Sequence, residues 1–531
     1  MKPLQGQFRL EAASRRGGPK YYRARRSKAI LGPGNQDGPS TGTMNTMQHN
    51  HIEVVCGIDV GTSGAKAILV APDGSVVARA EHKFARPPYQ PEPGWAEQDA
   101  TAWWAAVERC LSELARQLPA AHIAAIAVDS TSGTFVPVDA AGEALIPALM
   151  YNDGRANGLE AEVNKAAEEL IGRLGYTFPP AFSLVKLLWL QRHRPEVVTA
   201  THKFLHAADT LVGKLTGNFD CTDTSNALKS GVDLLTSQWP DFIEHRLGLP
   251  LSKFPKVFRP GQKVGELSEQ AAASTGLVAG TPVVAGASDG MASFLASGAK
   301  AVGDWNLTIG TTIAIRGVSE QLIRDPQGRL YCHRHPDGYW LPGGASNVGG
   351  EALVKTFGAD RLAVLDEAAS ACLPSSLLVY PLVRKGERMP FVSAAAEGFV
   401  IGKAESDAAL FAGYVEGIAL ITAWSVQEAA ALGAAADGEY FMSGGGTHGK
   451  HLGLTLASVL GRPLIVAREP DAAMGSALLA AGWAWHGGSV SAAQAHMVQR
   501  AEIVQPVQAW IGPLQDKLTE LKAECKRRNY L

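Results

Sequence analysis

The sequence predicts an α/β protein built from two similar halves that close on one cleft. Length is the first reason: 531 residues are too many for one ordinary hydrophobic core, so two domains are expected. The second is alternation, in which short apolar runs are followed by helix-length segments of helical period. The third is a duplicated turn. Ile58-Asp59-Val60-Gly61-Thr62-Ser63-Gly64-Ala65-Lys66 and Leu307-Thr308-Ile309-Gly310-Thr311-Thr312-Ile313 each lie between two apolar runs, as the bend of a β-hairpin does. Gly61 and Gly310 are about 250 positions apart, the length of one large domain. The halves therefore divide near 298–302, giving a first domain over 51–299 and a second over 300–531.

Residues 1–50 stand apart in composition. Arg9, Arg15, Arg16, Arg23, Arg25 and Arg26 dominate them, with Glu11 and Asp37 the only acids. An Arg-rich, acid-poor start is also a property of organelle transit peptides, but the amphipathic helix of such a peptide is missing. The expected reading is a disordered extension, or an upstream start with Met44 or Met47 as the true beginning. The folded part starts near Ile52. Val54 to Ile58 and Ala67 to Val70 pair around the first turn, and Ser75 to Ala80 forms a third strand after Pro72-Asp73-Gly74. Asp99 caps a helix that carries Trp103, Trp104, Val107, Leu111, Leu114 and Leu118. Ile123 to Val128 is a strand ending in Asp129-Ser130-Thr131-Ser132-Gly133. The segment from Leu159 to Phe258 reads as a helical, irregular insertion. Pro282 to Ala287 is a buried strand, followed by Ser288-Asp289-Gly290 and a helix over Met291 to Ser297.

The hairpin theme restarts at Gly303. Leu410 to Leu432 is a long helix stopped by Gly433. Tyr440 to Met442 is a strand leading into Ser443-Gly444-Gly445-Gly446-Thr447. A helix from about Lys450 to Leu460 ends at Gly461 and Pro463, and the tail from Pro513 reads as a charged surface helix.

Bulk properties exclude several classes. A net charge of −2 leaves nothing to attract nucleic acid or a membrane surface. No uninterrupted apolar stretch is expected to be long enough to span a bilayer. The six cysteines are scattered without a Cys-x-x-Cys pair, which suits free thiols in a reducing compartment, and a cytosolic enzyme is expected.

Two small-residue turns expose backbone N–H groups and hydroxyls to an anion, so together they can hold both ends of one polyphosphate. This points to a nucleotide clamped between the halves. Asp59, ending a strand beside the first turn, is placed to hold Mg²⁺; alternatively it bonds its own turn. Lys66 either neutralises phosphate or is solvated at the hairpin foot. Asp289, flanked by Ser288 and Gly290, is the expected catalytic base, taking the proton of an attacking alcohol; it also suits a helix cap. Gly444, Gly445 and Gly446 let a backbone lie flat against a ligand ring, or form a plain turn. Ala472 to Ala477 opens a helix with small residues, for close packing against the same pocket or for packing alone. Asp129 to Ser132, and Tyr151-Asn152-Asp153-Gly154-Arg155, are polar sets of the kind a sugar needs, or turn and cap residues. Gly343-Gly344-Ala345-Ser346-Asn347-Val348-Gly349-Gly350 is a further glycine-rich turn. Cys332, His333 and His335 lack a fourth ligand and read as a strand-turn surface. His448 and His451 read as helix-end residues, and Trp103 and Trp104 as core.

Taken together, these motifs resemble those of the FGGY carbohydrate kinases. The matching pieces run from about Val54 to Gly482: the Asp59-x-Gly-Thr-Ser turn, the Ser-Asp289-Gly segment, the Ile-Gly310-Thr-Thr turn, Tyr-Val-Glu416-Gly417-Ile418, Ser-Gly444-Gly-Gly, Leu-Gly461-Arg-Pro463 and Met-Gly475-Ser-Ala. The resemblance implies an actin-like ATPase fold, two ribonuclease-H-like domains with an interdomain cleft. It makes Asp289 the general base and Asp59 a Mg²⁺ contact. The phosphates of ATP fall to Gly61, Thr62, Ser63, Gly310, Thr311 and Thr312, and the adenosine to Gly444, Gly445 and Gly446.

Typical bacterial xylulose kinases carry Gln-Met-His-Gly where this chain has Asp129-Ser130-Thr131-Ser132-Gly133. That run, with Asp153-x-Arg-Ala and Ala-Ser-Asn347-Val-Gly-Gly, looks like plant and cyanobacterial D-ribulose kinases. The sugar contacts implied are Asp59, Ser63, Ser132, Asp153 and Asn347, beside the base. The expected activity is ATP- and Mg²⁺-dependent phosphorylation of a ketopentose at its terminal hydroxyl, D-ribulose first, with D-xylulose or a pentitol such as ribitol next. The expected partners are a small sugar and ATP, with no nucleic acid and no membrane, and a homodimer stays open. A rival of another class is a non-catalytic actin-like sugar sensor. An actin-like chaperone-type ATPase is a third alternative, disfavoured because no separate peptide-binding β-domain is evident.

Overall fold

The computed structural model describes residues 52–531, and the expectation for residues 1–50 lies outside them. The described residues form a single compact unit carrying two seven-stranded sheets. In the first, β1 (Ile52–Val60), β2 (Gly64–Val70) and β3 (Val76–Lys83) form an antiparallel meander, and β1 also pairs in parallel with β4 (Ala121–Ser130). β5 (Lys263–Glu266) and β6 (Pro282–Val284) extend the sheet beyond β4, and the short β7 (Ala287–Ser288) pairs with the carboxyl end of β4. Every residue of β1 from Val54 to Ile58 is buried, the mark of a central strand covered on both faces.

In the second sheet, β8 (Trp305–Ile309) and β9 (Ile313–Gly317) make the matching hairpin. β10 (Leu330–Arg334) and β11 (Trp340–Ala345) continue it on the β9 side. β12 (Tyr440–Ser443) pairs in parallel with β8, as β4 does with β1, and β13 (Leu464–Ala467) and β14 (Arg500–Val504) complete the sheet. The duplicated turn therefore marks a duplicated topology: hairpin, then a parallel neighbour beside its first strand.

Eight of the helices position the site or brace the lobes around it. α1 (Thr101–Gln117) packs on β2 and β3. Ala100, not Asp99, takes the cap position without a side-chain capping bond, and Asp99 just ahead of it accepts from the Thr101 N–H at 3.0 Å. Trp103 is core, and its indole N–H donates to Gln98, which in turn donates to the Thr62 carbonyl and buttresses the first turn. α2 (Ser183–His193) belongs to the helical insertion, and α3 (Asp289–Ser297) follows β7 directly. In the second lobe, α4 (Gly350–Phe357) leads away from the second turn, and α5 (Asp407–Ala431) runs through the core. α6 (Lys450–Leu460) ends at Gly461, whose φ of +65° is the left-handed cap that glycine favours. α7 (Ala472–Trp485) packs against β1, β4 and α3, so a helix of the second lobe lies on the first sheet.

Four expectations need correction. By length and composition α5 is apolar enough to cross a membrane, but 83% of its most apolar window is buried inside the protein. It is a core helix of the second lobe. The tail helix, α8 (Gln508–Arg527), is amphipathic: Leu514, Leu518, Leu521 and Cys525 are buried, and Lys517 pairs with the buried Glu416. Asp129 and Ser130 are the last two residues of β4, not a loop beyond it. Finally, His333 and His335 are not surface residues; they are 3% and 0% exposed, because β10 is covered on the face that carries them.

Candidate active site

Three aspartates meet at the carboxyl ends of adjacent parallel strands. Asp59 on β1 stands opposite Asp129 on β4, and Asp129 stands opposite Ala287 on β7, two residues before Asp289. This edge of an α/β sheet is where ligands usually sit. Asp129 is fully buried. One of its oxygens accepts from Ser476 Oγ of α7 at 2.7 Å, and the other has no hydrogen-bonding partner. Burial, then the neighbouring Asp59 charge, pushes its pKa well above the ordinary carboxylate range. Asp59 is pushed up to about 6, chiefly by burial; Asp129 and Lys66 oppose that shift, while Asp289 and Asp471 add to it.

Asp289 is the first residue of α3, and Ser288 takes the cap position. The Gly290 N–H donates to Asp289 Oδ1 at 2.7 Å. Burial raises the Asp289 pKa; the Gly290 N–H, Lys229, the Ser132 N–H and Arg316 all pull it back. Ser132 lies beside it with a buried hydroxyl that lacks a protein partner, an atom a ligand hydroxyl can satisfy. Lys229 Nζ donates to the Ser132 carbonyl at 3.0 Å. Lys186 Nζ and Ser183 Oγ donate to the next carbonyl, Gly133, at 2.8 and 3.3 Å. The loop that presents Ser132 is thus clamped at successive carbonyls by the insertion.

Each turn closes on itself through its glycine N–H, across three residues in the first and two in the second. The Gly61 N–H closes on the Gly64 carbonyl at 3.0 Å, and the Gly310 N–H on the Thr312 carbonyl at 3.1 Å. A Cβ added at Gly61 would meet nothing nearer than 4.0 Å, and one at Gly310 nothing nearer than 3.8 Å. These glycines are needed for neither fit nor a left-handed φ; they leave open room in front of the backbone. Among the described residues, no protein group hydrogen-bonds the hydroxyls of Thr62, Ser63, Thr311 or Thr312. The triple glycine packs on the second turn: a Cβ at Gly444 would press on Ile309 O at 2.7 Å, and Gly445 has nothing within 4 Å. Gly444, with φ of +82°, needs glycine for both reasons.

Two of the sequence-derived contacts stand apart from this cluster. Both Asp153 oxygens are occupied, by Arg155 at 2.8 and 2.9 Å and by the Ala96 N–H at 2.6 Å. Arg155 in turn lies over Trp95 at 3.8 Å and bonds Glu97, so this set braces the wall of the first lobe. Asn347 lies in the loop between β11 and α4. Its amide donates to Gly386 O at 2.9 Å and its N–H to Glu387 at 2.7 Å. The adjacent Val348 carbonyl accepts from Ile313 at the foot of the second turn.

Lys229 and Arg316 were not found from the sequence, since each lies in a stretch without a motif, and His333 reads there only as part of a surface strand-turn. Arg316 on β9 donates from Nη1 to the Gly290 carbonyl at 2.8 Å, a bond between the lobes. His333 Nδ1 is buried without a partner, and burial together with Arg316 and Lys229 keeps the imidazole neutral. Lys66 pairs with Asp471 at the start of α7, and Arg79 with Glu469 at 3.0 Å, so the hairpin foot is latched to the second lobe.

The donors near Asp59 are all hard oxygens, which suits Mg²⁺ and not zinc. Among the described residues no group of three or more His, Cys, Asp or Glu side chains is gathered tightly enough to hold a metal alone. A cation here takes one or two protein carboxylates and completes its shell with phosphate and water, as Mg²⁺ does with nucleotides. The orphaned Asp129 oxygen beside Asp59 fits that arrangement.

Paired lobes of this topology, with acidic strand ends between two glycine turns, define an actin-like ATPase fold arranged for phosphoryl transfer to a bound acceptor. The chain belongs to the FGGY family of carbohydrate kinases, whose N-terminal domain matches residues 54–296 and whose C-terminal domain matches residues 305–485. It is therefore a sugar kinase. It is 30% identical over 355 residues to the xylulose kinase of Escherichia coli, covering 65% of this chain and 72% of that one. It is 28% identical over 368 residues to the gluconokinase of Bacillus subtilis, covering 65% and 70%. The crystal structure of xylulose kinase from Rhodospirillum rubrum superposes with a TM-score of 0.81 at 28% identity, over 89% of this chain and 98% of that one.

Proposed function

We propose that this kinase transfers the γ-phosphoryl group of ATP to the terminal hydroxyl of a ketopentose, D-ribulose in the first place, giving D-ribulose 5-phosphate. The observation that carries the reading is Asp289 beside the unpartnered hydroxyl of Ser132, at the sheet edge that also holds Asp59. In this reading Asp289 takes the proton of the attacking hydroxyl. Burial raises its pKa and so its basicity, while the Gly290 N–H, Lys229, the Ser132 N–H and Arg316 pull it back towards the ionised form that a base needs. Ser132 and Ser63 orient the sugar, and Asp153 and Asn347 hold the walls that contact it. Gly61, Thr62, Gly310, Thr311 and Thr312 present donors to the phosphates, and Gly444 to Gly446 form a flat bed for the adenine. Mg²⁺ brought with the nucleotide neutralises phosphate charge, and Asp59 would hold it, with Asp129 behind. Closure of the lobes excludes the water that would otherwise take the phosphoryl group.

What supports ribulose ahead of xylulose is the Ser130-Thr131-Ser132-Gly133 run, which resembles that of D-ribulose kinases where typical xylulose kinases carry Gln-Met-His-Gly. The xylulose kinases among the relatives keep D-xylulose as the second reading. A cytosolic setting goes with both, because all six cysteines are free.

The test is ADP release with a panel of ketopentoses, ketohexoses, pentitols and gluconate, compared by kcat/KM. D-Ribulose is expected to lead, and Asp289→Asn to lower kcat by about 10²–10⁴. A panel led by D-xylulose or a pentitol replaces the named substrate. ATP turnover that no sugar stimulates favours a sugar sensor and removes the reading.

A further inference from the structure

Asp289 is surrounded by ionisable groups. Lys229 approaches from the insertion, Asp59 and Asp129 from β1 and β4, and the neutral Tyr331 from β10. Only Arg316 both comes from the second lobe and grips the backbone next to the carboxylate. Its Nη1 holds the Gly290 carbonyl at 2.8 Å, while the Gly290 N–H holds Asp289 Oδ1 at 2.7 Å. One residue, Gly290, thus passes the contact from guanidinium to carboxylate. A Cβ at Gly290 would lie 3.8 and 3.9 Å from the two Nη atoms, ordinary contact distances, so the guanidinium rests directly against this residue. Arg316 stands on the hairpin that carries the second glycine turn. Its position is therefore tied to the lobe that bears Gly310 and Thr311.

We propose that Arg316 is a positioning residue for phosphoryl transfer: by gripping the Gly290 carbonyl across the cleft, it fixes the first turn of α3 and aims the Asp289 carboxylate when the lobes are together. This rests on Asp289 being the base. Orientation errors at a reacting group slow turnover without weakening substrate binding, so the loss should fall on kcat. Lysine is a poor substitute, since a compact ammonium lacks the planar fork that reaches past Gly290.

The experiment compares wild type, Arg316→Met, Arg316→Lys and Asp289→Asn with the sugar that leads the panel. Arg316→Met should lower kcat about 10–100-fold while the KM values for sugar and ATP stay within about threefold. Guanidinium ion at non-denaturing concentration should restore part of that rate, and should do nothing for Asp289→Asn. Thermal melts establish that each variant is folded, and Arg316→Gln replaces Arg316→Met if the latter is not. Unchanged kcat, or a loss carried by the sugar KM, overturns the proposal, the latter by making Arg316 a substrate contact. Full activity in Asp289→Asn overturns the base reading itself, which is a different result from either.

Discussion

Lys186 shows how much a single buried charge can decide. It is fully buried on α2, and its ammonium donates to the carbonyls of Gly133 at 2.8 Å and Met150 at 2.6 Å. Burial pushes its pKa down to about 7, with Asp153 opposing and Lys229 and Arg155 assisting. An unfolded lysine keeps its proton to about 10.4, so between about 7 and 10 the unfolded chain binds more protons and stability rises with pH. Relative to Lys186→Met, the wild type should gain about 1 kcal/mol per pH unit over that window. Denaturant melts of both at pH 7, 8 and 9 measure it, and parallel curves would show that the lysine does not titrate there. Asp59, Ser132 and Asp289 stood out in the sequence because each ends a strand among small residues. Lys186 did not, because inside an apolar helix nothing marks where a charge finds carbonyls to bind.

The hairpins were the most legible elements. Apolar alternation on either side of a glycine turn located β1 with β2 and β8 with β9 to within a few residues, because strand pairing across a tight bend is local. The reason for the glycines was less legible. Neither Gly61 nor Gly310 has a left-handed φ, so conformational need does not explain them. Room in front of each turn is what the structure keeps. Gly310→Ala should therefore leave the melting temperature nearly unchanged, within about 0.5 kcal/mol of stability, while raising the KM for ATP about tenfold. An unaltered ATP KM would separate the turn from phosphate binding. Other motifs proved structural: Glu416 anchors the tail helix through Lys517, and Gly461 caps α6.

On the scale of the whole molecule, α7 joins the lobes. A Cβ at Gly475 would fall 1.9 Å from the Ala292 carbonyl on α3, and one on Gly57 of β1 would fall 2.0 Å from the Ala473 carbonyl. Both glycines let backbones touch between the two halves, and Ser476 adds its bond to Asp129. Gly475→Ala has to separate α7 from α3, the helix that begins with Asp289. It should cost about 1–3 kcal/mol and lower kcat along with it, since the wedge enters between the helix that carries Asp289 and the second lobe. Melts and turnover measured on the same sample test this, and a stable variant with full turnover would show that the contact yields without effect.

By itself the sequence determined the two hairpins, several of the strands and helices around them, the sheet edge that carries the aspartates and, through its motifs, the carbohydrate-kinase family. These are set by periodicity, by turn chemistry and by spacing over a few residues. Only the tertiary structure decided which groups surround Asp289, that Asp129 is buried against Asp59 with its pKa pushed up, that His333 is buried with its pKa pushed down, and that Arg316 crosses between the lobes. Those facts arise from residues far apart in the chain whose burial and pairing exist only once the halves have packed, and no local pattern of amino acids encodes them.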